Sequence, residues 1–492
     1  MQAAAPLGQR ALRGLILMLA QNVVSRASGL VSQLALAALL RPADFGVIGL
    51  AYTVTTIAST LTNIGIDDVL MQRKRSLRLW SGAAFWISFG LALGMGLIVV
   101  LISPIAASVY KTPDLVGLLA VLALSMPIGA LCSVPGMVLR SQMRFDVFAG
   151  FGAIEIVAQA SMTVGLAWAG FGAYSFVIPA PILAAVRALV WWRAAAFGVS
   201  LRPQIRRWRY VVGNTAASFT SRILVAFMSQ ADYMVLGFLT NQEIVGGYYF
   251  GFRLAAQPLW MLAGNFASVL YPVLIELKSD PVRQGEAAYR ASNLLLYCLM
   301  PVAMVQAAVA EPLIGGFFGQ KWLASIPVIQ LLSLGLAMDA VSWVAGALLA
   351  ARGEFVLGLR YVAVQTPLFV ALAWIGAKLH QSVGVAVAVC VFYTVTQPVF
   401  VYGVYRRIGI TAGGVARLYL WPTAFAAAAV GAGLAASTLP PLAAYPLGRV
   451  AVICAVGGVL YLGLLRWRVP EVWRELTRRL TSALGGFGAR FR

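Results

Sequence analysis

A polar stripe inside an apolar stretch of chain is the first feature that could support binding chemistry. Residues 21–33 read "QNVVSRASGLVSQ", have apolar flanks and carry Arg26 near their centre. At about 100° per residue, the polar residues fall on one face of a helix. They are Gln21, Asn22, Ser25, Arg26, Ser28, Gly29, Ser32 and Gln33. A charge at the centre of a bilayer costs about 2.5 to 3.5 kcal/mol on insertion scales, so this face predicts a polar or wet partner surface.

Three further apolar stretches carry similar stripes. Their members are Tyr52, Thr56, Ser59, Thr60 and Asn63; Asn214, Ser218, Arg222, Ser229 and Asp232; and Tyr249, Arg253, Gln257, Trp260 and Asn265. Arginine suits phosphate because its planar guanidinium group makes bidentate, charge-assisted hydrogen bonds and stays protonated. Three arginines (Arg26, Arg222 and Arg253) against one aspartate in these stretches predict a cavity that binds an anion.

The predicted substrate-binding set combines these arginines with neighbouring polar and aromatic residues. It consists of Arg26, Arg222, Arg253, Gln21, Asn22, Ser25, Tyr52, Asn63, Asn214, Ser218, Tyr249 and Gln257. The alternative is a structural ion-pair network with Asp232 as the partner of an arginine, since polar side chains also tie membrane helices together. Asp232, Glu155 and Asp339 are candidates for ion or proton coupling, or else satisfied structural acids.

The elements that must position these residues are membrane-spanning helices. The chain has 492 residues, of which 61% are hydrophobic and only 11% charged, with a mean hydropathy of +0.86, whereas a soluble domain carries about 25% charged residues. Apolar stretches of about 20 residues match the length of a transmembrane helix. The sequence predicts an all-α integral membrane protein with about fourteen transmembrane helices. The spans are 14–40, 45–70, 81–103, 115–139, 149–168, 174–192, 211–238, 246–275, 291–314, 326–350, 362–379, 383–404, 420–438 and 447–465.

The positive charges lie mainly on one side of the predicted membrane. Of 37 lysines and arginines, 28 fall in segments on the side of the N-terminus and five in segments on the other side. The positive-inside rule then places both termini in the cytoplasm. The net charge of +21 follows from topology, and nucleic-acid binding is not predicted. The four cysteines lie in spans without CxxC spacing, and His380 is the only histidine, so neither a disulfide framework nor a metal site is predicted.

An internal repeat organises the spans. Residues 119–145 align without gaps on 329–355, pairing Gly136 with Gly346, and the same offset pairs Lys111 with Lys321. More loosely, "LLRPADFGVIGLAY" resembles "FLTNQEIVGGYYFG". Six spans separate each pair, so the halves have the same orientation, with a central cavity between them.

The predicted organisation follows this repeat. It comprises an N-lobe of six helices at 1–195, a cytoplasmic linker at 196–210, a C-lobe of six helices at 211–405, two C-terminal helices within 420–465, and a basic cytoplasmic tail at 466–492. In the tail, Val469, Val472, Trp473, Leu476 and Leu480 have helical spacing. They predict either an amphipathic helix on the inner leaflet or a frayed end.

The chain resembles the polysaccharide transporter branch of the MOP flippase superfamily, the Wzx-like exporters that include the colanic acid exporter. The resemblance lies in "LLRPADFGVIGLAYTVTTIASTLTNIGIDDVLMQRK", "ADYMVLGFLTNQEIVGGYYFGFRLAAQPLWM", "VLYPVLIELKSD" and "FGQKWLASIPVIQLLSLG". It implies two six-helix lobes around a cavity lined by cations, two extra C-terminal helices, and turnover of undecaprenyl-diphosphate-linked oligosaccharide.

The expected function is therefore that of a flippase in a bacterial inner membrane. It would move polyprenyl-diphosphate-linked oligosaccharide from the cytoplasmic to the periplasmic leaflet by alternating access, for exopolysaccharide or surface-glycan synthesis. No cofactor is expected, coupling to H⁺ or Na⁺ is left open, and a polymerase and export proteins are expected partners. One alternative is a MATE-like ion-coupled multidrug antiporter, which the excess of positive charge disfavours. A membrane glycosyltransferase or ligase is a further alternative, disfavoured by outer segments of about five to twelve residues.

Overall fold

The computed structural model describes residues 31–62, 77–142, 144–195, 216–439 and 445–475, together with residues 21, 25, 28, 29, 477 and 478. The described residues form helices, turns and short connections, with no strand among them. Internal contacts divide the chain into unit 1, Met1–Tyr249, and unit 2, Phe250–Arg492. The predicted lobes at 1–195 and 211–405 remain a prediction.

Unit 1 contains nine helices among its described elements and the start of a tenth. They are α1 (Pro42–Thr62), α2 (Leu77–Val109), α3 (Leu115–Ala130), α4 (Ser133–Ser141), α5 (Phe145–Trp168), α6 (Tyr174–Val177), α7 (Pro179–Ala195), α8 (Ala216–Met228), α9 (Ala231–Leu239) and α10 (Gln242–Leu259). Residues 31–39 are also helical and precede α1. Part of the core joins α2, α4 and α7 through Phe85, Val138 and Ala195.

The turns before α1 and α10 each carry one backbone-to-side-chain hydrogen bond, but the two bonds run in opposite directions. The Arg41 backbone N–H, just before α1, donates to Asp44 Oδ2 in the first turn at 3.0 Å, whereas the Ile244 backbone N–H, in the first turn of α10, donates to Asn241 Oδ1 before the helix at 3.0 Å. Each bond satisfies a backbone donor at a helix start. The two segments of the looser sequence repeat therefore both lie at helix starts, which use the two complementary halves of a capping arrangement.

These two helix starts pack on each other through glycines. A side chain at Gly46 would overlap the backbone oxygen of Gln242, and one at Gly246 would overlap that of Pro42. The two contacts exchange under an offset of 200 residues, which is the pattern that a local two-fold relation produces. Only glycine allows backbones to approach this closely.

Unit 2 contains the rest of α10 and six further helices among its described elements. They are α11 (Asn265–Glu276), α12 (Pro281–Phe317), α13 (Ile326–Arg352), α14 (Phe355–Tyr405), α15 (Ala412–Ser437) and α16 (Pro446–Arg468). A π-helical turn, Trp260–Gly264, joins α10 to α11. Helix α13 is central, because it packs against α11, α12 and α14. Trp322, just before α13 begins, is fully buried. Its ring packs against that of Phe250 in a tilted arrangement, with 4.2 Å between the ring centroids.

Helix α14 contains both predicted spans 362–379 and 383–404. It is interrupted at His380 and Gln381, which have non-helical backbone angles, and Gln381 has a positive φ of 50°. The two arms then run antiparallel, with Phe369 against Phe392 at 5.0 Å and a side chain at Gly376 overlapping the backbone oxygen of Gly384. The two predicted spans are therefore the arms of one helical hairpin, with His380 at its turn.

The predicted class, an all-α integral membrane protein, is confirmed. In the described part of the chain, ten helices are long and apolar enough to cross a membrane. Two bent helix pairs, one bent by 45° and the other by 41°, raise the number to as many as twelve. The predicted count of fourteen is not confirmed, because about half of span 14–40 lies outside the described residues and the two arms of α14 count as one helix.

The two C-terminal helices pack on each other and on α12. Val309 of α12, Val430 of α15 and Ile453 of α16 form a buried cluster, and the Tyr461 hydroxyl donates to the backbone oxygen of Tyr297 at 2.6 Å. Residues 470–475 form a further helical turn in which Val472 is buried. Leu476 and Leu480 of the predicted amphipathic tail lie outside the described residues.

Candidate functional site

The first predicted stripe can be followed only in part. Arg26 and Asn22 lie outside the described residues, as do Asn63 and Asn214. Gln21 and Ser25 are half-buried, and the Gln21 amide packs directly against Gly152 of α5. Gly152 lies about one helical turn before Glu155. Gln21, a member of the predicted polar stripe, therefore meets the part of α5 that carries Glu155.

Among the arginines predicted to bind substrate, Arg222 and Arg253 are described. Arg222 lies on α8 with an exposed side chain, and Arg253 lies on α10 with a half-buried side chain. Ser218 precedes Arg222 by about one turn on α8, and Gln257, half-buried, follows Arg253 by one turn on α10. Within each helix, a serine or glutamine thus lies one turn from an arginine, as the stripes predict.

The predicted aromatic residues have different environments. Tyr52 is half-buried and its hydroxyl donates to the backbone oxygen of Phe176 at 3.5 Å. Tyr249 is only 6% exposed, because it packs against Gly49 of α1 and lies 5.7 Å from Tyr233 between ring centroids. Tyr249 is therefore part of a packed aromatic cluster in this structure, and its predicted role in substrate binding stays a prediction.

Asp232 lies inside the same aromatic cluster. It is 2% exposed; its carboxylate accepts hydrogen bonds from the Tyr248 hydroxyl at 2.7 Å and from the Tyr233 backbone N–H at 2.9 Å. Asp232 lies just after the break between α8 and α9 at Ser229 and Gln230, where the chain bends by 41°. These contacts fit a structural acid held by neutral donors; its predicted pairing with an arginine and its role in ion coupling both stay predictions.

Glu155 pairs with an arginine that belonged to no predicted stripe. Arg187 Nη1 of α7 donates to Glu155 Oε1 of α5 at 3.0 Å. The guanidinium also lies 5.8 Å from the centroid of the Trp191 ring. The Glu155 side chain is 16% exposed and the Arg187 side chain 32%; the two charges are matched inside unit 1, as a membrane-embedded pair requires.

Asp339 holds two neighbours on its own helix. Its Oδ1 accepts from the Ser342 hydroxyl at 2.5 Å and its Oδ2 accepts from Trp343 Nε1 at 2.9 Å. Neither neighbour was predicted as a site residue. Their spacing from Asp339, three and four residues, places them on one helical face; that spacing is the signal that could have identified them.

The break between α3 and α4 is another feature that sequence patterns missed. Trp192 Nε1 of α7 donates to the backbone oxygen of Leu131 at 2.9 Å. Leu131 lies at the interruption between α3 and α4, where the chain bends by 45°. The bond satisfies a carbonyl that the interruption frees, as a break within a membrane requires. All four cysteines are free.

The chain belongs to the family described as polysaccharide biosynthesis protein, whose model matches residues 35–327. The predicted resemblance to polysaccharide exporters is therefore confirmed.

Two curated relatives carry names from polysaccharide synthesis. The chain is similar to lipopolysaccharide biosynthesis protein WzxC of Escherichia coli strain K12, with 24% identity over 374 residues that cover 73% of each chain. It is also similar to succinoglycan biosynthesis transport protein ExoT of Rhizobium meliloti strain 1021, with 25% identity over 303 residues that cover 61% of this chain and 60% of that one.

Solved structures share the fold. The lipid II flippase MurJ in an inward closed conformation superimposes with a TM-score of 0.75 at 12% identity, covering 92% of this chain and 99% of that one. An inward-facing MATE family multidrug resistance transporter of the MOP superfamily gives a TM-score of 0.64 at 15% identity, covering 78% of this chain and 94% of that one. The fold therefore occurs in both a lipid flippase and a drug transporter, and does not distinguish the two functions.

Proposed function

We propose that this protein is a flippase that moves a polyprenyl-diphosphate-linked oligosaccharide from the cytoplasmic to the periplasmic leaflet of a bacterial inner membrane. The observation that carries the proposal is family membership across residues 35–327, supported by relatives named for lipopolysaccharide synthesis and succinoglycan transport. The helices long enough to cross a membrane supply the setting in which such a substrate is found.

The arginines on α8 and α10 supply the chemistry that a diphosphate needs. Arg222 is exposed and Arg253 is half-buried, so each guanidinium retains surface from which it could donate to phosphate oxygens. Arg26 completes the proposed set. An inside-negative potential favours outward movement of an anion by about 2.3 kcal/mol per charge per 100 mV. In this proposal the substrate site opens alternately to the two leaflets, and both termini lie in the cytoplasm. The membrane potential drives transport, and no cofactor is bound.

The test is export in the natural host after deletion of the gene. We expect the deletion strain to accumulate lipid-linked oligosaccharide and to lose its surface glycan, and the intact gene to restore export. Arg222→Ala and Arg253→Ala should each reduce export, whereas Arg222→Lys and Arg253→Lys should retain part of it because the positive charge remains. Arg283→Ala is a matched control, since that side chain is 78% exposed and pairs with Asp280 at the start of α12.

Two results would contradict the proposal. Normal surface glycan in the deletion strain would exclude an essential role in export. Loss of resistance to cationic drugs with unchanged glycan would instead support the antiporter alternative, whose fold this chain shares.

Ion coupling and protein partners form a separate part of the proposal. Purified protein in vesicles with an H⁺ or Na⁺ gradient and lipid-linked oligosaccharide would show coupling as a gradient-dependent flipping rate. A dependence lost in Asp232→Asn, Glu155→Gln or Asp339→Asn would identify the coupling residue. Co-purification of a polysaccharide polymerase or export protein from the host would identify the expected partners.

A further inference from the structure

One face of helix α13 is open, whereas its other faces are buried. Neighbouring helices cover most of its circumference. Asp339, Ser342 and Gly346 are half-buried and Trp343 is exposed, so together they form a stripe at positions i, i+3, i+4 and i+7.

This open face lies at membrane depth and carries a carboxylate. Asp339 is the middle residue of Ile326–Arg352, about 20 Å from either end at 1.5 Å per residue. An acidic residue in the middle of a spanning helix is found facing protein or a water-filled space and not lipid. The stripe therefore indicates a polar surface within unit 2.

Trp343 is held in one orientation on this face. Its indole N–H donates to Asp339 Oδ2 at 2.9 Å, while the other carboxylate oxygen accepts from Ser342 at 2.5 Å. On a second side, the ring edge packs against the π-helical turn, since a Cβ at Gly264 would lie 3.4 Å from Trp343 Cζ3. Trp343 nevertheless remains 36% exposed. An indole fixed at its N–H and along one edge, with open surface, is pre-organised for stacking.

The π-helical turn adds a second exposed tryptophan. Trp260 begins the turn and is also 36% exposed, whereas Tyr248 and Tyr249 on the same helix are 0% and 6% exposed. Single π-helical turns inside α-helices are frequent at functional sites. Trp260 is thus exposed at the π-helical turn, whereas the two tyrosines near the start of α10 are packed.

We propose that Trp343 stacks on a sugar ring of the transported oligosaccharide, with Asp339 as the positioning residue and Trp260, on the adjoining π-helical turn, as a second exposed indole. The proposal rests on the proposed flippase function and deepens it, because it assigns a contact to the glycan and not to the diphosphate. Sugar rings present an apolar C–H face that an aromatic ring can cover. Because sugar rings in general have such faces, this contact would tolerate variation in the glycan. The phosphate contacts do not touch the glycan at all.

Binding of two probes to the purified full-length chain in detergent separates the sugar contact from the diphosphate contact. The probes are undecaprenyl diphosphate and the lipid-linked oligosaccharide that accumulates in the deletion host. Trp343→Leu keeps an apolar side chain but removes the ring. It should weaken binding of the oligosaccharide probe about tenfold, the effect of losing roughly 55 Å² of apolar contact. Binding of undecaprenyl diphosphate should change less than about twofold.

Three further variants sharpen the test. Trp343→Phe should retain most of the affinity because it keeps an aromatic face. Asp339→Asn, which keeps an acceptor for the indole N–H, should have a smaller effect than Asp339→Leu. Trp421→Leu is the control, because this tryptophan is 50% exposed on α15 and carries no proposed contact.

The outcomes are distinguishable. Equal affinity of Trp343→Leu and the unaltered protein for the oligosaccharide probe would overturn the sugar contact, as would an equal loss for both probes. If Trp343→Leu does not fold, equal affinities of Trp343→Phe and Trp343→Met for the oligosaccharide probe would overturn it. Failure of the unaltered protein to bind either probe would overturn the flippase function itself.

Discussion

The reciprocal glycine contact between α1 and α10 predicts opposite effects for the same substitution at different sites. In an exposed helix, glycine to alanine stabilises by about 0.5–1 kcal/mol because alanine loses less conformational freedom on folding. At Gly46, however, the added methyl group would overlap the backbone oxygen of Gln242. A backbone atom cannot rotate aside as a side chain can, so the two helices must separate by roughly 1 Å.

The magnitude follows from these opposing terms. Overpacking costs about 1–3 kcal/mol, which exceeds the helix-propensity gain, so Gly46→Ala and Gly246→Ala should each destabilise by about 1–2 kcal/mol. Gly165→Ala is the matched control, since Gly165 lies in α5 with nothing within 4 Å of the added methyl group. It should be neutral or stabilising. The expected difference in unfolding free energy between control and test is about 1–3 kcal/mol.

The assay is thermal unfolding of purified protein in detergent, read by size-exclusion of the surviving folded fraction. At about 1–2 °C per kcal/mol for a chain of this length, Gly46→Ala should unfold about 1–6 °C below Gly165→Ala. The double variant Gly46→Ala/Gly246→Ala should lose less than the sum of its parts, because both methyl groups separate the same two helices. Equal midpoints for Gly46→Ala and Gly165→Ala, or strict additivity in the double variant, would refute the reciprocal contact.

Other contacts give similar tests by the same unfolding assay. Arg187→Gln should destabilise the protein by about 1–3 kcal/mol because it leaves the partly buried Glu155 charge unmatched. The double variant Glu155→Gln/Arg187→Gln should recover part of this loss. A double variant less stable than Arg187→Gln alone would contradict the ion pair. Tyr405→Phe should cost about 1–2 kcal/mol, since its buried hydroxyl bonds to a serine hydroxyl of α12 at 2.6 Å; an unchanged midpoint would count against that bond. Gly376→Ala should lower the folded yield by separating the arms of α14, while Gly358→Ala, with open space around it, should not; equal yields would argue against the close approach.

Much of the fold is predictable because membrane helices have a single dominant requirement. Backbone groups in lipid must bond internally, so long apolar runs become helices, and the described helices follow the predicted spans closely. The α3–α4 break is harder to predict, because it depends on Trp192 donating to a carbonyl 61 residues away. The turn at His380 and Gln381 was predicted from one short polar interval between apolar runs.

The candidate site is less predictable because helical periodicity gives the face of a residue and not what covers it. Tyr249 and Trp260 belong to the same predicted stripe, yet Tyr249 is 6% exposed and Trp260 36%. The difference arises from Gly49 and Tyr233, which lie far from Tyr249 in sequence and cover it. Trp343 escaped prediction for the converse reason: its spacing from Asp339 places both on one helical face, but only the burial of the other faces by neighbouring helices shows that this face is open.

The three acids considered for coupling are constrained by the donors that hold them. Asp232 accepts from a tyrosine hydroxyl and a backbone N–H, Glu155 from a guanidinium, and Asp339 from a serine hydroxyl and an indole N–H. A carboxyl group that takes up a proton keeps one acceptor oxygen for an N–H donor, and a hydroxyl partner can turn to accept from the new O–H. For Glu155, protonation would leave Arg187 charged and unmatched, which is costly within a membrane. At Asp232 and Asp339 each carboxylate has one hydroxyl and one N–H as neutral partners, so protonation there leaves no charge unmatched. A neutral Asp339 would still hold the Trp343 indole, which is why Asp339→Asn is expected to affect the sugar contact less than Asp339→Leu.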